Sequence, residues 1–156
     1  MKKLDEMKLT VQAKSVNESF CRVAVAAFVS RLDPTVDEIS DIKTAVSEAV
    51  TNCIVHAYKG EKYLKNKIII ECGIEKSEKT GKLHICVIDF GCGIENVDEA
   101  MQPFYTTSSP SERAGMGFTI MQAFTSDFTI ESVKGEGTKI SMTKIIEETG
   151  KDDNNA

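Results

Sequence analysis

Four short stretches of this 156-residue chain bring together residue types that could do chemistry. In Glu48-Ala-Val-Thr-Asn52 a carboxylate and an amide stand four positions apart. On a helix that spacing sets them about 40° apart on adjacent turns, within reach of one shared ligand. A carboxylate there can accept a proton, and an amide oxygen suits Mg²⁺, a hard cation that takes oxygen ligands. Asp89-Phe90-Gly91-Cys92-Gly93 closes an apolar strand with a carboxylate. Such a group is costly to desolvate unless donors reach it, and the two glycines let backbone come close to a flat ligand. Arg113-Ala-Gly115-Met-Gly117 opens an apolar helix after the hydroxyl-rich Thr106-Thr107-Ser108-Ser109. Free amides at a helix start, with an arginine beside them, favour phosphates. Gly135-Glu-Gly137-Thr138 has the form of a hairpin turn.

Each stretch also has a plainer reading. Counted at 100° per residue, Glu48 and Asn52 lie roughly 200–240° from Val46, opposite the apolar stripe of their helix. Periodicity therefore makes theirs a solvated face unless another element folds over it. The string Asp89-Phe90-Gly91 is shared with eukaryotic-type protein kinases, but neither an H-R-D loop nor a V-A-I-K strand accompanies it. The Gly115–Gly117 pair is no Walker loop, for no Gly-Lys-Ser/Thr occurs, and no strand leads into it as a dinucleotide fingerprint requires. What singles the four stretches out is their order along one chain.

The elements that must position them follow from periodicity. Met7–Val11 alternates as a first strand, and 17–32 lacks Gly and Pro and reads as a first helix. Thr35-Val-Asp-Glu38 fits a capping box, starting a second helix whose apolar positions 36, 39, 42, 46, 49, 50, 53, 54 and 57 make one core-facing stripe. Alternation then marks strands at 67–74 and 83–89 with Glu75–Lys82 as their loop. After a Pro- and Ser-rich segment come a helix over 116–125 and strands at 128–133 and 138–145, joined by the Lys134–Gly137 turn. Runs of helices and strands that do not alternate favour an α+β fold: a two-layer α/β sandwich whose mainly antiparallel, mixed sheet carries helices on one face.

Length and composition bound the rest. One domain over 1–146, with a polar tail at 147–156, is the expectation. The longest apolar run, Val23–Val29, has seven residues against the roughly 18 of a membrane span. The first residues carry acids and no apolar block, unlike a secretory signal, so a cytoplasmic address is expected. Nineteen basic against 24 acidic residues leave a net charge of −5, and the lysines are scattered, which argues against direct binding of nucleic acid. Five cysteines, odd in number and without a C-x-x-C pair, read as reduced and mostly buried.

The four stretches, in this order and at this spacing, resemble the boxes of the GHKL (Bergerat-fold) ATPases, the group of the histidine-kinase catalytic domains and gyrase B. Within that group, the segments Asn17 to Phe28, Ser47 to Tyr58 and Ser111 to Met121 closely resemble the sporulation anti-sigma F factors, a family of serine-protein kinases. The resemblance implies ATP and Mg²⁺ as ligands, with Glu48 as general base and Asn52 as the Mg²⁺ ligand. It implies that Asp89 accepts the adenine amino group, with Gly91 and Gly93 beside the ring and Thr138 completing the adenine contact. Residues 102–114, with Thr106 and Thr107, resemble an ATP lid, and Gly115 and Gly117 its phosphate-facing turn. Arg113 falls at the lid's basic position, facing either the terminal phosphate or the protein substrate. Arg22 resembles a first-helix arginine that faces a sigma factor. The implied partners are a sigma factor of the F type, held by a homodimer built around the first strand and helix, and an anti-anti-sigma factor phosphorylated on serine. A nucleotide-gated sigma clamp with negligible transfer, or a general-stress anti-sigma kinase of the same fold, would keep the same boxes.

Overall fold

A computed structural model describes residues 1–58, 66–102 and 116–147. Strand β1 (Lys2–Gln12) leads into helix α1 (Val16–Val29) and a 3₁₀ turn at Ser30–Leu32. Helix α2 (Val36–Asn52) runs on into a π-helical turn, Cys53–Ala57. Strands β2 (Lys67–Lys76) and β3 (Thr80–Asp89) form a hairpin, followed by the short helices α3 (Val97–Ala100) and α4 (Gly117–Ala123). A second hairpin, β4 (Asp127–Val133) and β5 (Gly137–Glu147), completes the order.

The strands form one sheet in the order β1-β2-β3-β5-β4, and every pairing among the described residues is antiparallel. The sequence reading expected a mainly antiparallel, mixed sheet; among the described residues no parallel pairing occurs. Register aligns one apolar row across all five strands: Leu9, Ile70, Val87, Ile140 and Ile130. Side chains of a strand alternate between faces, so neighbours at every second position continue the same layer. Ile68, Cys72, Ile74, Leu83, Ile85 and Met142 are buried there. The helices cover this face, contributing Cys21, Val25, Val29, Ile42, Val46, Ala49 and Val50 to the same core. The other face carries Lys8, Glu71, Cys86, Ser141 and Thr129 in register.

The structure differs from the sequence reading in several places. The β2–β3 turn is tighter than the expected 75–82 loop, because Glu75, Lys76, Thr80 and Lys82 extend the strands on or near the open face, where polarity carries no penalty. Val36, placed in the core stripe, is 85% exposed: as the first helical residue it precedes the packed turns. Ala45, absent from that stripe, is fully buried. Helix α3, too short to show a period, begins at an Asn96 cap whose side chain accepts from the Glu99 amide.

The start of α2 is fixed as its sequence predicts. The Glu38 amide donates to Thr35 Oγ1 at 3.1 Å, and the Thr35 amide donates to Glu38 Oε1 at 2.8 Å. Its other carboxylate oxygen accepts from the Glu147 amide at 3.1 Å, so the cap also pins the end of β5. Lys144 Nζ donates to Asp41 Oδ2 at 2.9 Å and to the Phe124 carbonyl at 3.2 Å, tying β5 to α2 and to the C-terminal end of α4. Replacing Thr35 with Ala should lower unfolding free energy by about 1 kcal/mol in urea titration, with an unchanged slope.

Candidate nucleotide site

The last buried position of β3 is a carboxylate, Asp89, only 3% exposed. Its Oδ1 accepts from the Gly91 amide at 3.0 Å, and its Oδ2 accepts from the Cys53 thiol at 3.6 Å. Burial pushes the Asp89 carboxyl above the ordinary carboxylate range, while hydrogen bonds from the Gly91 amide, the Cys53 thiol and the Thr138 amide pull the other way. Cys53 is wholly buried, and burial together with the neighbouring Asp89 charge holds its thiol protonated.

Around Asp89 three chain segments touch backbone to backbone. A Cβ on Gly91 would stand 2.2 Å from the Ala57 carbonyl oxygen, and the Cys92 amide donates to that same oxygen at 2.9 Å. Gly93 has φ +72°, and its absent Cβ would fall 2.2 Å from the Val133 carbonyl oxygen. The Gly135 amide in the β4–β5 turn donates to the Cys92 carbonyl at 2.7 Å. Here the approach that these glycines permit is of chain to chain. Thr138, buried opposite Asp89 on β5, shares a 2.8 Å hydrogen bond with Ser132 Oγ, which also accepts from the Ile94 amide at 2.7 Å.

Glu48 is 8% exposed, not solvated as its helical angle suggested. Helix α4 lies over that face: a Cβ on Gly117, its first residue, would stand 3.4 Å from Glu48 Oε2. The tilted packing of Phe118 against Phe128, with centroids 6.3 Å apart, and the burial of Met121 hold α4 in place. Asn52, one turn beyond Glu48, is half-buried at the end of α2, next to Cys53. The structure thus draws Glu48, Asn52, Asp89, Gly91, Gly93, Gly117 and Thr138 onto the α2 end, the β3 end and the elements packed on them. Thr106, Thr107, Arg113 and Gly115 lie outside the described residues. Arg22 sits on α1, its guanidinium 3.6 Å from Glu18 Oε1.

Sequence reasoning placed Cys53 in the core stripe with no role at the site, and passed over Ser132 and Tyr58. Tyr58 accepts from the Phe90 amide at 2.8 Å and donates to the Lys67 carbonyl at 2.6 Å. Nothing local in the sequence marks them, since each partner lies on a different element.

The profile of the histidine kinase-like ATPase domain matches residues 10–144. The chain belongs to the histidine kinase-like ATPase family. That membership makes it a nucleotide-binding domain. Among other members it is similar to the anti-sigma F factor of Caldanaerobacter subterraneus subsp. tengcongensis, 55% identical over 140 residues that cover 90% of this chain and 93% of the relative. The anti-sigma F factor of Clostridium kluyveri is 50% identical over 142 residues, 91% of this chain and 95% of that protein. The fold is shared with a crystal structure of the RsbU and RsbW domains of a Mycobacterium tuberculosis protein. The TM-score is 0.60 and the identity 18%, over 90% of this chain and 32% of that one. Among the described residues, no helix is long and apolar enough to cross a membrane.

The buried Asp89 has a consequence for stability. A carboxyl raised in the folded state adds stability below its unfolded pKa and loses it as pH rises through the folded pKa, so once ionised the group is a burden on the protein without nucleotide. Asp89→Asn should therefore leave the melting temperature without nucleotide equal to or above wild type at pH 7, while removing most of the rise that ATP produces by mass action. Thermal melts with and without Mg-ATP measure both.

Proposed function

We propose that this protein is an anti-sigma factor and ATP-dependent serine-protein kinase: it sequesters a sporulation sigma factor of the F type and phosphorylates that factor's anti-anti-sigma antagonist on serine. The relatives' names support the anti-sigma role, and family membership supports the nucleotide chemistry. One observation carries the catalytic part: a carboxylate on a helix face that periodicity leaves to solvent is buried under the glycine start of α4.

In this reading Asp89 accepts from the adenine amino group, with Gly91 and Gly93 shaping the floor beside the ring and Thr138 beside the carboxylate. Residues 102–114 serve as the lid, bringing Thr106, Thr107 and Arg113 to the phosphates, and Gly115 and Gly117 face them. Asn52 holds the Mg²⁺. Among the described residues no three His, Cys, Asp or Glu side chains cluster as a protein cage for a cation. The Asn52 side chain offers an amide oxygen, the hard donor that Mg²⁺ takes, while waters and substrate phosphates would complete its shell. When bound, the ion would neutralise phosphate charge. Glu48 takes the proton from the incoming serine hydroxyl as the terminal phosphoryl group passes to it, so the phosphoserine forms and ADP leaves. Arg22 on α1 meets the sigma factor, and two copies assemble through the first strand and helix, in the cytoplasm.

Glu48→Gln keeps the size and hydrogen-bonding reach of the side chain but not its basicity. It should reduce transfer of labelled γ-phosphate to the anti-anti-sigma factor by about 100-fold or more, with ATP affinity within a few-fold of wild type. Unchanged transfer would refute the base assignment, and a wild type that binds sigma but never transfers label would make the protein a nucleotide-gated clamp.

A further inference from the structure

Cys53 and Tyr58 bracket the π-helical turn that follows α2, and both reach the end of β3. Insertion of such a turn widens the helix, which re-aims the side chains after it. Had α2 continued as a regular helix, the residues after Asn52 would have turned at a different angle. The thiol of Cys53 meets Asp89 Oδ2 at 3.6 Å. The phenol of Tyr58 holds the very next amide, that of Phe90, at 2.8 Å, and donates to the Lys67 carbonyl on β2 at 2.6 Å. Between them the Ala57 carbonyl accepts from the Cys92 amide at 2.9 Å. One turn of helix therefore grips residues 89, 90 and 92 in succession.

We infer that Cys53 and Tyr58 are positioning residues for adenine discrimination: they fix the orientation of the Asp89 carboxylate, and with it the acceptor that reads the exocyclic amino group. This rests on the role proposed for Asp89 above. The carboxylate has one oxygen held by the Gly91 amide and the other by Cys53, so its plane cannot rotate without losing a donor. Tyr58 acts on the peptide bond that follows Asp89, holding the backbone from which the carboxylate projects.

Calorimetry at saturating Mg²⁺ tests this with two ligands, ATP and the triphosphate of purine riboside, which lacks the exocyclic amino group. Wild type, Cys53→Ala, Cys53→Ser and Tyr58→Phe are compared, with circular dichroism to verify folding. Wild type should prefer ATP. Cys53→Ala and Tyr58→Phe should each weaken ATP by about three- to tenfold, with affinity for the analogue within twofold of wild type. Cys53→Ser, which restores a donor, should recover the ATP preference. If the variants weaken both ligands alike, or keep the full preference, the two residues are merely structural and the inference is wrong. Should Cys53→Ala not fold, Tyr58→Phe, which removes a single oxygen, decides alone. A wild type without preference between the ligands would instead overturn the reading of Asp89, and this inference with it.

Discussion

An ionisable carboxyl buried at the end of an apolar strand governs the arrangement around it. Desolvating a charge is so unfavourable that Asp89 persists in this place only because donors converge on it, and hydrogen bonds to a charged acceptor are worth about 1.5–3 kcal/mol each. Those donors come from three directions: the Gly91 amide in its own turn, the Thr138 amide on β5, and the Cys53 thiol after α2. Satisfying one side chain thus requires the helix end, the strand end and the neighbouring hairpin to meet. The rest of the fold is the means of bringing them there.

The helix layer and the sheet share a core whose apolar row crosses all five strands, and this layer gives the junction its rigidity. Lys144 and the Thr35–Glu38 cap add polar ties between β5, α2 and α4 at the layer's rim. With α4 fixed in this way, Glu48 becomes a buried acid without any change in its own helix. A single element laid across a face can change what that face does.

Much of this was legible in the chain. The capping box announced the start of α2, alternation marked β2 to β5, and the apolar neighbours Leu83, Ile85 and Val87 gave the reason to single out Asp89. Glu48 shows where local pattern stops: a helical wheel knows only its own helix, and the covering α4 arrives far along the sequence. The same holds for Val36, whose apolar type says nothing of its place ahead of the packed turns, and for the hairpin residues 75–82, whose polarity suits an open sheet face as well as a loop. Cys53 counted only as one more apolar position of the stripe and Tyr58 was passed over for a related reason: their partners lie on strands further along the chain.

The glycine contacts at 91, 93 and 137 set the dimensions of the junction by covalent geometry. Main chain rests against main chain there, at separations a methyl group would forbid. Walls of that kind have no rotamers to freeze. In the proposed site a nucleotide would meet such a floor, and the entropy of association would then fall mainly on the visitor.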